Sequence, residues 1–198
     1  MTLTRIGGLA ALICAATYLV GFALLVTLLA PLNFGTNDID AAAVIAFNDS
    51  HPGILTAWNS TIYVLNALAL VVLVVTLAAL LGTDRPGWAD VTRGLGLVWA
   101  ALVLGAGMTA NVALERAAYL YPTDPAAAVD LWTTLHAVEL GLGGGNEIAG
   151  GVWIACVSLA ALLARTMPRA VALLGLITGV AGLVTILPPL GDIAGAIF

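Results

Sequence analysis

The sequence predicts an all-α fold, an integral membrane bundle of five transmembrane helices with an additional interfacial or re-entrant helix. Hydrophobic residues make up 62% of the 198 residues and charged residues only 9%, whereas about one quarter of a soluble domain is charged. The mean hydropathy is +1.10, and the apolar residues form runs close to the roughly 20 residues that cross a bilayer. We therefore expect a single transmembrane helical domain over residues 1–198.

The five expected spans follow from runs that hold almost no charge. The first run follows Arg5 as the apolar part of a signal peptide would. It is too long for such a segment, so it predicts a retained helix. The expected spans are residues 7–31, 54–82, 94–115, 144–164 and 170–188.

Residues 125–142 are the segment whose place in the membrane the sequence leaves open. They carry Asp130, His136 and Glu139 among leucine, valine and alanine, ahead of a glycine run. Three ionisable groups in one span are costly in lipid, which favours a helix that lies at the interface or re-enters. A sixth span here would move the C-terminus to the other side of the membrane.

The arginines predict the orientation of the chain. Five of the six share one side of the expected spans: Arg5, Arg85, Arg93, Arg165 and Arg169. By the positive-inside rule this side is cytoplasmic, so we expect a multi-pass protein of the plasma membrane with a cytoplasmic N-terminus. Most acidic residues fall on the opposite side, among them Asp38, Asp40, Asp49, Asp124, Asp130 and Asp192.

Composition and charge exclude several classes of function. So few charged side chains cannot solvate a globule of this size, which excludes a soluble enzyme. The net charge is −5 and the chain has no lysine, so we expect no nucleic-acid partner and no Schiff-base chemistry. Two histidines and two isolated cysteines, Cys14 and Cys156, are too few for a multinuclear metal site. We expect neither a metal nor a cofactor.

The first outer loop, residues 33–53, contains apolar residues at helical spacing. They are Ile39, Ala43, Val44 and Phe47. This spacing indicates an amphipathic helix, which we expect to lie on the membrane like a lid.

Polar side chains within the spans indicate a pocket in the outer leaflet. Lipid offers no water to satisfy them, so they must face a partner, a cavity or a pore. In an α-helix the spacing of Asn59, Tyr63 and Asn66 places all three on one face. The outer ends of the following segments add Asn111, Glu115, His136, Glu139, Asn146 and Glu147. The inner halves are almost purely apolar, which argues against a channel. For each asparagine, hydrogen bonding between helices is the alternative role.

Glu147 is the first candidate for a catalytic acid. It lies in the stretch from Gly143 to Trp153, whose glycines permit close helix approach or irregular backbone at membrane depth. An apolar wall favours the protonated carboxyl, which is then able to act as a general acid. The alternative is a structural glutamate at the start of a helix. Glu115 is the second candidate, and His136 and Glu139 are candidate proton shuttles or orienting groups unless they are simply solvated.

Two resemblances follow from these residues. The stretch from Gly145 to Trp153, with the opening from Arg5 to Leu9, resembles a group of bacterial multi-span membrane proteins of similar length and undefined function. In general plan the chain also resembles the small integral-membrane terpene cyclases of natural-product pathways. That resemblance implies an intramembrane carboxyl group that protonates an isoprenoid alkene or epoxide, with Glu147 first and Glu115 second as proton donor.

The sequence therefore predicts a membrane enzyme that acts on a lipophilic, isoprenoid-type substrate, with membrane lipid as its surroundings. Aromatic faces stabilise carbocations by cation–π attraction. The aromatic candidates for the pocket are Tyr63, Trp58, Trp132 and Trp153. The alternative is a non-catalytic carrier or binder of a small lipophile, or a structural subunit. Gly175, Gly179 and Gly182 of the last span would also suit contacts in a homo-oligomer.

Overall fold

The computed structural model describes residues 2–34, 39–82 and 86–185. Every regular element within these ranges is helical. Asp38, Arg85, Asp192 and the last three residues of the expected fifth span lie outside the described ranges. The helices are α1 (Leu3–Val26), α2 (Ala41–Ser50), α3 (Ile54–Asn59), α4 (Asn66–Gly82), α5 (Pro86–Leu120), α6 (Pro125–Ala164) and α7 (Arg169–Val184).

Two short elements supplement these helices. A 3₁₀ turn, Ala30–Leu32, follows α1 and ends at Asn33, which has a left-handed backbone. A π-helical turn, Ser60–Leu65, joins α3 to α4. The three pieces Ile54–Gly82 therefore form one continuous helical segment.

Four helical segments are long and apolar enough to cross a membrane. They are Leu3–Val26, Ile54–Gly82, Gly87–Leu120 and Pro125–Ala164. The helix α7 has 16 residues, shorter than the roughly 20 that a span requires. A multi-pass membrane protein is compatible with these four segments.

The helix α6 differs from the sequence-based expectation. The sequence predicts a separate interfacial or re-entrant helix over 125–142, followed by a span over 144–164, whereas α6 is one helix of 40 residues. The glycine run that separates these two predicted segments does not interrupt α6. The count of five spans plus a re-entrant helix is thus not confirmed, and the described residues contain four helices long and apolar enough to be spans.

The chain divides into two compact units, and α1, α4, α5 and α6 contribute residues to both. We call Leu12–Ala67 with Val103–Leu142 the polar unit. We call Met1–Ala11, Leu68–Leu102 and Gly143–Phe198 the small-residue unit.

The core of the polar unit includes the predicted lid helix. α2 begins at Asp40, whose carboxylate accepts hydrogen bonds from the Ala42 and Ala43 backbone N–H groups at 2.9 and 3.2 Å. Its Val44 and Ile45 are fully buried. They pack in a hydrophobic cluster with Leu29, Leu32, Leu55, Trp58, Ala113, Leu114, Ala117, Ala128 and Trp132. The helix expected over 39–47 is therefore present, and its apolar side packs on protein.

The small-residue unit packs its helices at backbone contact. A Cβ atom added to Gly179 of α7 would lie 2.7 Å from the Gly151 carbonyl oxygen and 2.7 Å from the Ala155 backbone nitrogen. A Cβ at Gly175 would overlap the Ser158 hydroxyl. Only glycine permits such an approach of α6 and α7, which is how helices commonly associate in lipid.

Candidate functional site

The π turn of the polar unit determines where its polar side chains point. A π turn forms i→i+5 hydrogen bonds and is frequent at functional sites. It also breaks the α-helical register between Asn59 and Asn66. Asn66 therefore contacts Thr17, whereas Tyr63 contacts Glu139 and Asn59 lines the same cavity as Glu139. Regular α-helical spacing would have placed all three on one face.

Tyr63, Glu139 and His136 form the central cluster of the site. The Tyr63 hydroxyl donates a hydrogen bond to Glu139 Oε1 at 3.2 Å. The other carboxyl oxygen, Oε2, lies 2.8 Å from His136 Nδ1. The side chains of His136 and Glu139 are each only 14% exposed. An imidazole nitrogen at this distance from a carboxyl oxygen is positioned to exchange a proton with it.

Two neighbours fix the orientation of this cluster. The Trp132 ring stacks on the His136 imidazole with centroids 4.6 Å apart and an interplanar angle of 19°. This ring face also stabilises a protonated imidazole by cation–π attraction. On the other side, a Cβ added to Gly107 of α5 would overlap the Cβ of Tyr63. Gly107 therefore allows the Tyr63 ring to lie directly against α5.

A small cavity adjoins Glu139. The space in it that a water-sized group can occupy is about 10 Å³, and the cavity is partly open to the surroundings. This is room for about one water molecule, far below the roughly 300–1,000 Å³ that is usual for small-molecule pockets. Its lining combines one carboxyl group, one amide, aromatic rings and aliphatic side chains: Phe34, Asn59, Ala110, Leu114, Trp132 and Glu139. The cavity therefore admits a small polar group such as a hydroxyl.

Asn59 is the second polar side chain in the lining. It is 6% exposed, and its amide forms no hydrogen bond with any residue in the described ranges. An unpaired amide at a buried position is unfavourable, so a hydrogen-bonding ligand at this place would stabilise the site.

Asn111 belongs to the surroundings of the π turn. Its Nδ2 donates to the Ser60 hydroxyl at 3.1 Å. Its Oδ1 is enclosed and has no hydrogen-bond partner within the described part of the chain. Asn111 therefore joins α5 to the π turn and is not among the lining residues of the cavity.

Asn66 and Trp58 have structural contacts in the polar unit. Asn66 Nδ2 donates to Thr17 Oγ1 at 2.7 Å and to the Cys14 carbonyl at 3.4 Å. The Trp58 indole N–H donates to the Gly21 carbonyl at 3.2 Å, and its ring lies 5.3 Å from that of Phe34. Both side chains thereby attach α3 and α4 to α1, the role that interhelical hydrogen bonds have in bundles.

The remaining predicted site residues lie elsewhere. Glu115 is exposed on α5. Asn146, Glu147 and Trp153 belong to the small-residue unit, where Glu147 is half-buried and has no hydrogen bond or ion pair with a described residue. Trp153 is buried with its ring 5.4 Å from Trp99. The structure thus brings together Asn59, Tyr63, Trp132, His136 and Glu139 out of the twelve predicted residues.

Several residues of the site are absent from the sequence-based prediction. Phe34, Ala110 and Leu114 line the cavity, Ser60 binds Asn111, and Gly107 accommodates Tyr63. Apolar lining residues have the same sequence pattern as lipid-facing ones, so no local signal distinguishes them. Ser60 does have such a signal. Its hydroxyl lies beside Asn59 in an apolar run, and a polar group in such a run needs a hydrogen-bond partner.

Comparison of the chain with protein families, curated proteins and solved structures gives no match. The two resemblances drawn from the sequence therefore stay predictions. Within the described residues, no group of three or more His, Cys, Asp or Glu side chains is placed to hold a metal ion.

Proposed function

We propose that the protein is a membrane-embedded enzyme that isomerises a lipophilic, isoprenoid-type substrate by protonation, as terpene cyclases do. The observation that supports this proposal is the pairing of Glu139 with His136 beside a cavity with an aromatic and aliphatic lining. A desolvated acid next to apolar surface is the arrangement that general-acid catalysis on a hydrocarbon chain requires.

In the proposed reaction, the site recovers the proton that it donates. Glu139 gives its proton to an alkene carbon or to an epoxide oxygen of the substrate, and the substrate becomes a cation that keeps all of its other atoms. A second double bond attacks this cation and closes a ring. Loss of a proton from a neighbouring carbon to the Glu139 carboxylate, directly or through His136, restores the pair. The product has the mass of the substrate, and no co-reactant is consumed.

Aromatic and hydroxyl groups have defined roles in this scheme. Trp132 and Phe34 present aromatic surface at the cavity, which stabilises a cationic intermediate. Tyr63 donates to Oε1 of Glu139 and is a positioning residue that holds the carboxyl group while Oε2 exchanges its proton.

Glu139 is the proposed acid ahead of Glu147, which the sequence placed first. Glu139 lines a cavity and has a proton-exchange partner at 2.8 Å. Glu147 has no hydrogen-bonding partner within the described ranges, and Glu115 is exposed. Glu147 and Glu115 stay alternatives that the experiment below distinguishes.

The proposed placement in the membrane follows the arginines. We propose that the protein resides in the plasma membrane with a cytoplasmic N-terminus, because Arg5, Arg93, Arg165 and Arg169 then share the cytoplasmic side. A fifth span over 170–188 keeps this orientation. The cluster of Tyr63, His136 and Glu139 then belongs to the outer half of the spans, as the sequence-based topology indicates.

The test is an activity assay of the purified protein with linear prenylated alkenes, alcohols and epoxides, in which mass spectrometry detects isomeric products. We expect Glu139→Gln to lower turnover by about 10²- to 10⁴-fold, since Gln keeps the size but transfers no proton. Asp130→Asn is the matched control, because Asp130 is an exposed carboxyl group on the same helix, and it should keep full turnover.

Two outcomes would count against the proposal. Turnover that survives in Glu139→Gln and disappears in a folded Glu147→Gln would return the role of acid to Glu147. No isomeric product from any compound, with folded wild-type protein, would favour the non-catalytic carrier or binder.

A further inference from the structure

We infer that the cavity of the polar unit binds an uncharged oxygen group of a small lipophile, a hydroxyl or a carbonyl, between the Asn59 amide and the Glu139 carboxyl group. This inference names the substrate class for the proposed enzyme and rests on that proposal for what happens after binding. The binding step itself depends only on the lining of the cavity.

Asn59 is the residue that calls for an oxygen-bearing ligand. Asn59 is only 6% exposed and lines the cavity. Its amide has no hydrogen-bond partner among the described residues. A hydroxyl oxygen both accepts from Nδ2 and donates to Oδ1, and a carbonyl accepts from Nδ2. A pure hydrocarbon would leave this amide unpaired in the complex, so it should bind more weakly.

The charge of the lining excludes ionised ligands. Among the described residues, Glu139 is the one titratable group in the lining, and no cationic side chain belongs to it. A phosphate or carboxylate would therefore meet a carboxyl group without a compensating charge. A protonated amine would have to compete with His136, which already lies 2.8 Å from Glu139 Oε2.

The rest of the lining suits a short hydrocarbon chain. Ala110 and Leu114 of α5 supply aliphatic surface, and Phe34 and Trp132 supply ring surface. The cavity itself has room for about one water-sized group, about 10 Å³, so it admits the oxygen group, and the carbon chain leaves through its open side. These features match a prenyl alcohol or aldehyde in polarity.

The experiment compares ligands that share one carbon chain and differ in the polar group. Thermal unfolding of the purified wild-type protein is recorded with geraniol, the aldehyde citral, geranylamine, geranic acid, geranyl diphosphate and the hydrocarbon myrcene. Ligand that binds the folded state raises the unfolding temperature according to its affinity. We expect geraniol and citral to raise it most, with at least about tenfold tighter apparent binding than myrcene.

Two variants separate Asn59 from general effects on the protein. Asn59→Leu removes the amide and should lower the affinity for geraniol to that for myrcene. Asn48→Leu is the matched control, because Asn48 is another buried asparagine of the polar unit that does not line the cavity. It should keep the preference for geraniol. Asn59→Ser, which retains a hydrogen-bonding group, replaces Asn59→Leu where the latter does not fold.

The result overturns the inference if myrcene, geranylamine or geranic acid binds as tightly as geraniol, if nothing binds, or if Asn59→Leu keeps the preference for geraniol. Failure of the proposed enzyme has a different signature. Asn59-dependent binding of geraniol without any isomeric product contradicts catalysis and supports the binding site. Isomeric product from myrcene at the rate of geraniol supports catalysis and overturns the oxygen-binding site.

Discussion

The polar unit and the small-residue unit are built on different physical principles. In the polar unit, side-chain hydrogen bonds connect helices, as between Asn66 and Thr17 and between Tyr63 and Glu139. In the small-residue unit, α6 and α7 meet through Gly151 and Gly179 at backbone contact. Close backbone packing depends on the absence of side chains, whereas a hydrogen-bonded contact depends on their presence.

This difference indicates which unit can bind a ligand and which contacts determine stability. A contact between glycine backbones leaves no room for a ligand and tolerates no added atom. A hydrogen-bonded unit with a cavity retains groups such as the Asn59 amide that are unpaired among the described residues. We therefore expect glycine substitutions where α6 meets α7 to affect folding, and conservative substitutions at Tyr63 and Glu139 to affect activity with modest changes in stability.

The largest effect is expected for Gly179→Val. Its Cβ would lie 2.7 Å from backbone atoms of α6, which cannot move aside as a flexible side chain does. We expect a loss of about 3 kcal/mol or more in the free energy of unfolding, measured by denaturant or thermal unfolding in detergent. Gly94→Val is the control, because a Cβ at Gly94 meets nothing within 4 Å. Equal stability of the two variants would refute the tight packing of α6 on α7.

A smaller loss that a second substitution rescues is expected for Gly175→Ala. The added Cβ overlaps the Ser158 hydroxyl, and overpacking of this kind costs about 1–3 kcal/mol. Ser158→Ala removes the overlapping oxygen, so the double variant should regain most of the stability. Thermal unfolding of the four proteins measures this rescue, and additive losses in the double variant would argue against the contact.

In the polar unit, the Asn66–Thr17 hydrogen bond should contribute about 1 kcal/mol. Interhelical hydrogen bonds in membrane proteins average about 0.6 and reach about 1.7 kcal/mol, and Asn66 is 2% exposed with a donor–acceptor distance of 2.7 Å. A double-mutant cycle with Asn66→Leu and Thr17→Val measures the coupling energy. A coupling energy of zero would show that the bond does not stabilise the fold.

The smallest change in stability is expected for Tyr63→Phe. It removes one hydroxyl that is partly buried and donates to Glu139 at 3.2 Å, a loss of roughly 0.5–1.5 kcal/mol. If Glu139 is the catalytic acid, turnover should fall more than stability, by about tenfold, and the pH profile of kcat should shift. Gly107→Ala, whose added Cβ would overlap the Cβ of Tyr63, should also lower turnover but should cost more stability, about 1–3 kcal/mol. A Tyr63→Phe protein with unaltered turnover and pH profile would contradict the positioning role of Tyr63.

Composition and hydropathy were sufficient to predict a helical membrane protein, since helices satisfy their own backbone in lipid. They did not predict the continuity of α6, because glycines and ionisable residues near its middle have the same pattern whether a helix continues or breaks. Asn59, Tyr63, His136 and Glu139 stood out as polar groups in apolar surroundings. His136 and Glu139 pair as residues three apart on one helical face do. The separation of Asn66 from Asn59 and Tyr63 did not follow from spacing, because the π turn between Ser60 and Leu65 has no recognised sequence signal.

The hydrogen bond between Glu139 and His136 is the contact on which the proposed chemistry depends most. Infrared difference spectroscopy between the wild-type protein and its variants observes carboxyl groups directly and requires no substrate. We expect a carboxyl band in the wild-type protein that is missing in Glu139→Gln and whose frequency changes in His136→Phe, because that variant removes the hydrogen-bonding partner of Oε2. Carboxyl spectra that are the same in the wild-type protein and Glu139→Gln, or a Glu139 band with the same frequency with and without His136, would contradict the pair.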